Sequence, residues 1–210
     1  PLLYSTSLNI KNYNPCTQIL DGPVTLRLPD GKVWEPRGKP SGDMITLKTA
    51  LARSLNPIAA KLIHEVGVGE VVKHAAQFGI KIPKHDQVPS LALGVTSISL
   101  YDLIGVYTTF VNEGVFKKPV YLVRIEDKHG RLIQVESTAS KIIMSKENAF
   151  KMVQMLKGST QIRGGTAVSL GSKYHLTDGI NEMGGKTGTT QKSADGWFFG
   201  ITQQLVSGCW

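Results

Sequence analysis

The run Gly185-Lys186-Thr187-Gly188-Thr189, on a predicted strand, admits two chemistries. One is phosphate binding by a glycine-rich loop, Gly-x-x-x-x-Gly-Lys-Thr. Gly179 and Gly184 have the right spacing, but Gly185 intervenes before Lys186, and counting from Gly185 puts Ile180 where the first glycine belongs. A phosphate loop must also open a helix whose N-terminal amides meet the anion. Here Gly188, two threonines and the aromatic strand Trp197-Phe198-Phe199 follow instead. The nucleotide reading fails on register and on context. The other chemistry is acyl transfer at an activated serine, in which a Lys-Thr-Gly strand works with a Ser-x-Asn triad and a Ser-x-x-Lys nucleophile. Ser54-Leu55-Asn56 supplies the triad at a predicted helix end, where the chain turns at Pro57 and presents both side chains to a cleft. Ordinary helix capping would explain Ser54 and Asn56 taken alone. The two motifs together favour the acyl-transfer reading.

The elements that must position these residues are legible in outline. Pro1 to Leu8 reads as the tail of a buried helix, and the stretch from Asn9 to Ser41 as irregular, with turns at Asn-Pro, Asp-Gly, Pro29-Asp30-Gly31 and Lys-Pro steps. Val24 to Leu28 alternates like a short strand. Thr46 caps a helix with Leu47, Ala50, Leu51 and Ser54 on one face. Pro57 suits the first turn of the next helix, which Gly67 stops. A third runs from about Glu70 to Phe78, and Ser99 with Asp102 caps a fourth that ends by Gly114. A hairpin follows, Val120–Glu126 with Leu132–Val135, and then a helix from Ser145 to Gly158. Arg163-Gly164-Gly165-Thr166 reads as the start of a helix leading towards the catalytic strand, with lining of the cleft as its second reading. Glu182–Thr190, Gly196–Thr202 and Leu205–Trp210 read as three consecutive strands. Helices followed by antiparallel strands predict an α+β fold, with an antiparallel sheet flanked by helices.

Composition narrows the classes. With 210 residues, 41% hydrophobic and 19% charged, the chain is long and apolar enough to build a core, which disordered chains are not. No apolar run approaches the roughly 18 residues of a membrane helix, and no signal segment stands at Pro1. The sequence starts without Met and reads as a piece of something longer. A net charge of +8 is compatible with an anionic neighbour, but the lysines are scattered. The closest pairs, Lys81/Lys84 and Lys117/Lys118, lack interleaved aromatics, so no nucleic-acid partner is expected. Cys16 and Cys209 stand at opposite ends, with a disulfide between them left open. His64-Glu65 begins like a zinc-protease helix, yet Val68 stands where the second His belongs, so no metal is expected. His64 and His74 are expected on helix surfaces, and Trp197, Phe198 and Phe199 in strand packing.

Three stretches carry a broader resemblance. TLKTALARSLNPIAAKLIHEVGV resembles the Ser-x-Asn region of the transpeptidase domain of class A penicillin-binding proteins. LALGVTSISLYDLIGVYTTFVNEGVFKKP is similar to the segment that follows it there, and GGKTGTTQKSADGWFFGITQQL to the Lys-Thr-Gly strand with its aromatic neighbour. The resemblance implies a β-lactamase/transpeptidase-like fold. It implies one incomplete domain over residues 1–210: a helix tail and irregular segment (1–45), a helical part with a hairpin (46–158) and the Lys-Thr-Gly sheet part (159–210). The implied activity is that of a D,D-transpeptidase, which crosslinks peptidoglycan stem peptides ending in D-Ala–D-Ala and is acylated by β-lactam antibiotics, without a cofactor. By the same resemblance Ser54 relays a proton to the leaving nitrogen, Asn56 hydrogen-bonds the substrate amide, and Lys186 holds the Ser54 hydroxyl and attracts the terminal carboxylate. Thr187 and Thr189 bind that carboxylate, and the Thr189 N–H forms half of an oxyanion hole. Gly188 leaves room for the substrate backbone. The implied parent is bifunctional and membrane-anchored, on the outer face of the bacterial cytoplasmic membrane.

One departure stands out. No serine in the sequence has a lysine three positions later, so the nucleophile motif is absent. In the family that motif is commonly followed by a Pro and a helix similar to PLLYSTSL, which places the start of this sequence just after the motif's lysine. The chain alone is then expected to be inactive, with the serine elsewhere in a longer chain or on a companion chain. Two alternatives stay open: a non-catalytic β-lactam-sensing or cell-wall-binding module, and a serine β-lactamase. The Glu-x-x-Leu-Asn segment that β-lactamases use for deacylation has no match here.

Overall fold

The structure is a computed structural model that describes residues 1–28, 31–135, 139–176, 182–190 and 194–210. Helix α1 (Leu2–Ile10) is followed by the short strands β1 (Gln18–Leu20), β2 (Leu26–Arg27), β3 (Val33–Trp34) and β4 (Met44–Thr46). Helices α2 (Leu47–Arg53), α3 (Asn56–Val66), α4 (Val68–Gln77) and α5 (Leu100–Val111) come next. Strands β5 (Val115–Lys117), β6 (Arg124–Glu126), β7 (Leu132–Val135) and β8 (Ser140–Ile142) lead to α6 (Lys146–Gln161) and α7 (Val168–Lys173). Then come β9 (Gly184–Thr189), β10 (Gly196–Ile201) and β11 (Val206–Cys209).

Helix α1 lies at the centre of the helical layer, against α3, α4 and α6. Its residues from Leu3 to Leu8 are all buried, including the consecutive hydroxyls of Ser5, Thr6 and Ser7. Burying a hydroxyl is costly unless it is hydrogen-bonded. Each of the three donates back to its own helix: Ser5 and Thr6 to the Leu2 carbonyl at 2.9 and 2.7 Å, Ser7 to that of Tyr4 at 2.7 Å. A polar helix can therefore sit in the core.

Strands β9, β10 and β11 form an antiparallel sheet in the order β11-β10-β9, with β9 at an edge. Lys186 stands opposite Phe199, and Thr187 opposite Phe198. Helix α6 packs on β9, while α5 packs on β10 and β11. Phe199 is buried and stacks on Tyr107 of α5 at 4.5 Å between ring centroids, with Trp197 stacked beside it at 6.1 Å. Fully burying one such ring contributes about 1.5–3 kcal/mol, which fixes the sheet against the helices.

The predicted order of helices and strands matches this architecture, and several details differ. Helix α6 does not stop at Gly158 but runs on to Gln161. A Cβ on Gly158 would lie 3.1 Å from the Ala52 Cβ, so this glycine lets α2 and α6 approach rather than ending a helix. His74 is buried, not on the surface. Its Nε2 pairs with the Ser5 hydroxyl at 2.9 Å, its Nδ1 lies 3.2 Å from the Gln77 Oε1, and burial pulls its pKa below the usual range. The pairings β1–β4 and β5–β8 were not anticipated, because strands of three residues leave little alternation to read. Cys16 and Cys209 are exposed and free, so the disulfide left open by the sequence is not formed. Of the predicted turn, Pro29 and Asp30 lie outside the described residues, as does Gly179. Among the described residues no helix is long and apolar enough to cross a membrane.

Candidate active site

Helix α2 delivers Ser54. The helix is started by Thr46, whose hydroxyl accepts from the Thr49 N–H at 3.2 Å, and is held in the core by Leu47, Ala50 and Leu51. It is closed by Ser54 itself in the left-handed conformation, at φ 56° and ψ 48°. The Leu55 N–H then reaches back to the Ala50 carbonyl at 3.0 Å. A non-glycine residue held there costs about 1–3 kcal/mol, strain that collects at functional sites. The outcome is an exposed Ser54 hydroxyl at the end of a buried helix. Asn56 opens α3 with Pro57 in the first turn, where the missing N–H costs nothing. Its side-chain amide donates to the Arg37 carbonyl at 2.9 Å, so the loop before β4 covers this end of α3.

Strand β9 delivers Lys186. Its Nζ donates to the Ser54 Oγ at 2.9 Å and to the Thr187 carbonyl at 2.6 Å, joining positions 132 residues apart. Desolvation brings the ammonium pKa down to about 8. The end of α2 and the middle of β9 thus meet at the bond between Ser54 and Lys186. Gly188 has a reason within the fold, because a Cβ there would lie 3.2 Å from the Cβ of Trp197 on β10. Thr189 is exposed at the end of the strand, on the sheet edge.

Thr187 makes a contact that the motif reading left out of the site. Its hydroxyl donates to that of Thr166 at 2.8 Å. The signal was the Arg163-Gly164-Gly165-Thr166 run, read first as a helix start. The helix begins only at Val168, and Thr166 belongs to the turn before it, facing the site. The structure therefore brings together Ser54, Lys186, Thr187 and Thr166. Asn56 lies two residues beyond Ser54 on the first turn of α3.

This arrangement can move a proton and hold an anion. A lysine ammonium bonded to a serine hydroxyl lowers the cost of that hydroxyl giving up its proton and restores it afterwards. The ammonium and the neighbouring threonine hydroxyls supply charge and donors for a carboxylate. The free edge of β9 offers backbone groups to an extended peptide. Among the described residues no group of His, Cys, Asp and Glu could hold a metal ion.

Comparison with known proteins shows the family and the fold. Residues 1–205 match the penicillin binding protein transpeptidase domain family. Over the whole chain the sequence is 33% identical to penicillin-binding protein 1B of Haemophilus influenzae, of which it spans 26%. It is 29% identical to penicillin-binding protein 1A of Neisseria lactamica over 99% of this chain and 26% of the relative. The chain thus spans about a quarter of these relatives. Its fold superposes on the crystal structure of penicillin-binding protein 1A from H. influenzae with a TM-score of 0.82 at 21% identity, covering 99% of this chain and 36% of that one. The D,D-transpeptidase domain of an Eggerthella lenta peptidoglycan glycosyltransferase gives a TM-score of 0.74 at 20% identity, covering 96% and 55%.

Proposed function

The chain belongs to the penicillin-binding protein transpeptidase family, and from that premise we propose that it forms part of a D,D-transpeptidase that crosslinks peptidoglycan stem peptides. The observation that carries this reading is the 2.9 Å bond from Lys186 to Ser54, which joins the Lys-Thr-Gly and Ser-x-Asn motifs into one site. The substrate is a stem peptide ending in D-Ala–D-Ala, and β-lactams occupy the same site. The attacking serine comes from a Ser-x-x-Lys segment that these residues do not contain.

In the reaction the serine oxygen bonds to the penultimate D-Ala carbonyl carbon, and the C–N bond to the terminal D-Ala breaks. The hydroxyl proton of the nucleophile ends on the departing amine. Ser54, bonded to Lys186, passes that proton across. A neighbouring stem's amine then attacks the ester, its proton returns to the serine, and the crosslink is made. Asn56 holds the substrate amide. Lys186, Thr187 and Thr189 hold the terminal carboxylate, and the Thr189 N–H steadies the oxyanion, a donor whose loss costs about 10²–10³ in rate. We place the parent on the outer face of the bacterial cytoplasmic membrane, anchored there, with a glycosyltransferase on the same chain.

Intact mass spectrometry of the full-length protein with a penicillin tests the reading. The expected result is one stable antibiotic adduct in the unaltered protein, and adduct formation at least a hundredfold slower in Lys186→Ala. Undiminished acylation of that variant would remove Lys186 from the site. Rapid release of hydrolysed antibiotic would favour a β-lactamase.

A further inference from the structure

The segment Ile162–Ala167 is fastened on both sides by backbone bonds. The Thr166 N–H donates to the Ala52 carbonyl at 3.0 Å, and the Ala167 N–H to that of Ser159 at 3.0 Å. From α2, the Arg53 guanidinium donates twice to the Arg163 carbonyl, at 3.1 Å from Nε and 2.9 Å from an Nη. Gly164 has φ +82°, and a Cβ on Gly165 would lie 2.5 Å from the Ser159 carbonyl oxygen. Only a residue without a side chain lets this turn close against the end of α6. The result is a strap from the last turn of α6, across the residues just before Ser54, to β9. Its one exposed hydroxyl in contact with β9 is that of Thr166, 2.8 Å from the Thr187 hydroxyl.

Two hydroxyls in contact have a property that one lacks. Each carries one proton and two acceptor sites. Without substrate, the Thr187 proton points to Thr166. A carboxylate can only accept, so when one arrives that proton must turn towards it. The Thr187 oxygen is then free to accept, and the Thr166 proton can reverse into it. The chain Thr166 O–H to Thr187 O–H to carboxylate is then polarised in one direction. The backbone bonds at Ala52 and Arg163 hold Thr166 at the same distance throughout.

We propose that Thr166 is a positioning residue for the carboxylate end of the substrate, aiming and polarising the Thr187 hydroxyl through the 2.8 Å contact between them. The proposal rests on the transpeptidase reading. It predicts selectivity for a free carboxylate over its ester, rather than a general gain in reactivity. An ester lacks the charge that makes a hydrogen bond from Thr187 strong.

The test compares acylation of the full-length protein by a labelled penicillin and by the methyl ester of the same compound. Thr166→Val is expected to lower the preference for the free acid about tenfold, the size of one hydrogen bond to a charged group. The loss should fall on the concentration dependence rather than on the limiting acylation rate. Thr166→Ser is expected to keep the preference, and both variants to unfold at the temperature of the unaltered protein. An unchanged acid-to-ester preference in Thr166→Val overturns the proposal. So does an equal loss towards both compounds, or a failure of serine to restore the preference. An unaltered protein that takes up neither label overturns the transpeptidase reading, and this proposal with it.

Discussion

Lys186 sets opposite demands on stability and on chemistry. Its amine pKa is lowered from 10.5 to about 8 by desolvation. The unfolded chain keeps its proton up to about pH 10, so between pH 8 and 10.5 unfolding takes up a proton and stability rises with pH. Below pH 8 the ammonium is held charged at a desolvation cost. The function proposed for it needs that charge. We expect acylation by penicillin to fall on an alkaline limb centred near pH 8, while resistance to urea increases over the same range. Lys186→Arg should move that limb beyond pH 10, since a guanidinium does not titrate there. A pH profile of acylation beside urea midpoints checks both trends. Lys186 and Ser54 were legible because each sits in a short motif whose chemistry constrains its neighbours. Thr166 was not, because its role depends on a contact with β9 that no local pattern encodes.

At the scale of elements, the strap after α6 does what neither α2 nor β9 does alone. Gly165→Ala would push a methyl to within 2.5 Å of the Ser159 carbonyl oxygen and 2.9 Å of that of Ile162. Both are backbone atoms with little freedom to yield, so a loss of about 1–3 kcal/mol is expected, the range of overpacking in a tight site. Displacing the strap also displaces Thr166, so the acid-over-ester preference should fall in the same variant. Chemical unfolding and paired acylation assays read the two effects separately. The helix starts at Thr46, Ser99 and Ser145 were readable from capping residues, and each hydroxyl accepts the predicted backbone bond. Burial was harder to read. Val71, His74 and Ala75 share the inward face of α4 by helical spacing, so His74 was open to a better reading than the surface one. Its polarity argued for solvent, while its partner Ser5 lies 69 positions away.

At the scale of the whole molecule, stability is unevenly spread. Leu3 to Leu8 of α1 are buried against α3, α4 and α6, whereas the β6–β7 ribbon has only two strands and exposes Leu132 and Ile133. Two-stranded ribbons are marginal without a packed face. Hydrogen exchange should release the β6–β7 amides first and those of α1 last, and protection of the ribbon equal to that of α1 would contradict this. The α+β class was legible from the order of helices and strands, because that order limits how layers can pack. The short pairings were not, because they join distant segments. The contact from Ser54 to Lys186 spans 132 residues and has a consequence in time. At about 5–20 residues per second, synthesis leaves roughly ten seconds between the emergence of the two. Through that interval the Ser54 hydroxyl lacks its Lys186 partner. A chain cut short before β9 therefore carries α1 to α7 and no working proton relay, so the relay comes into being only after every one of these helices has been made.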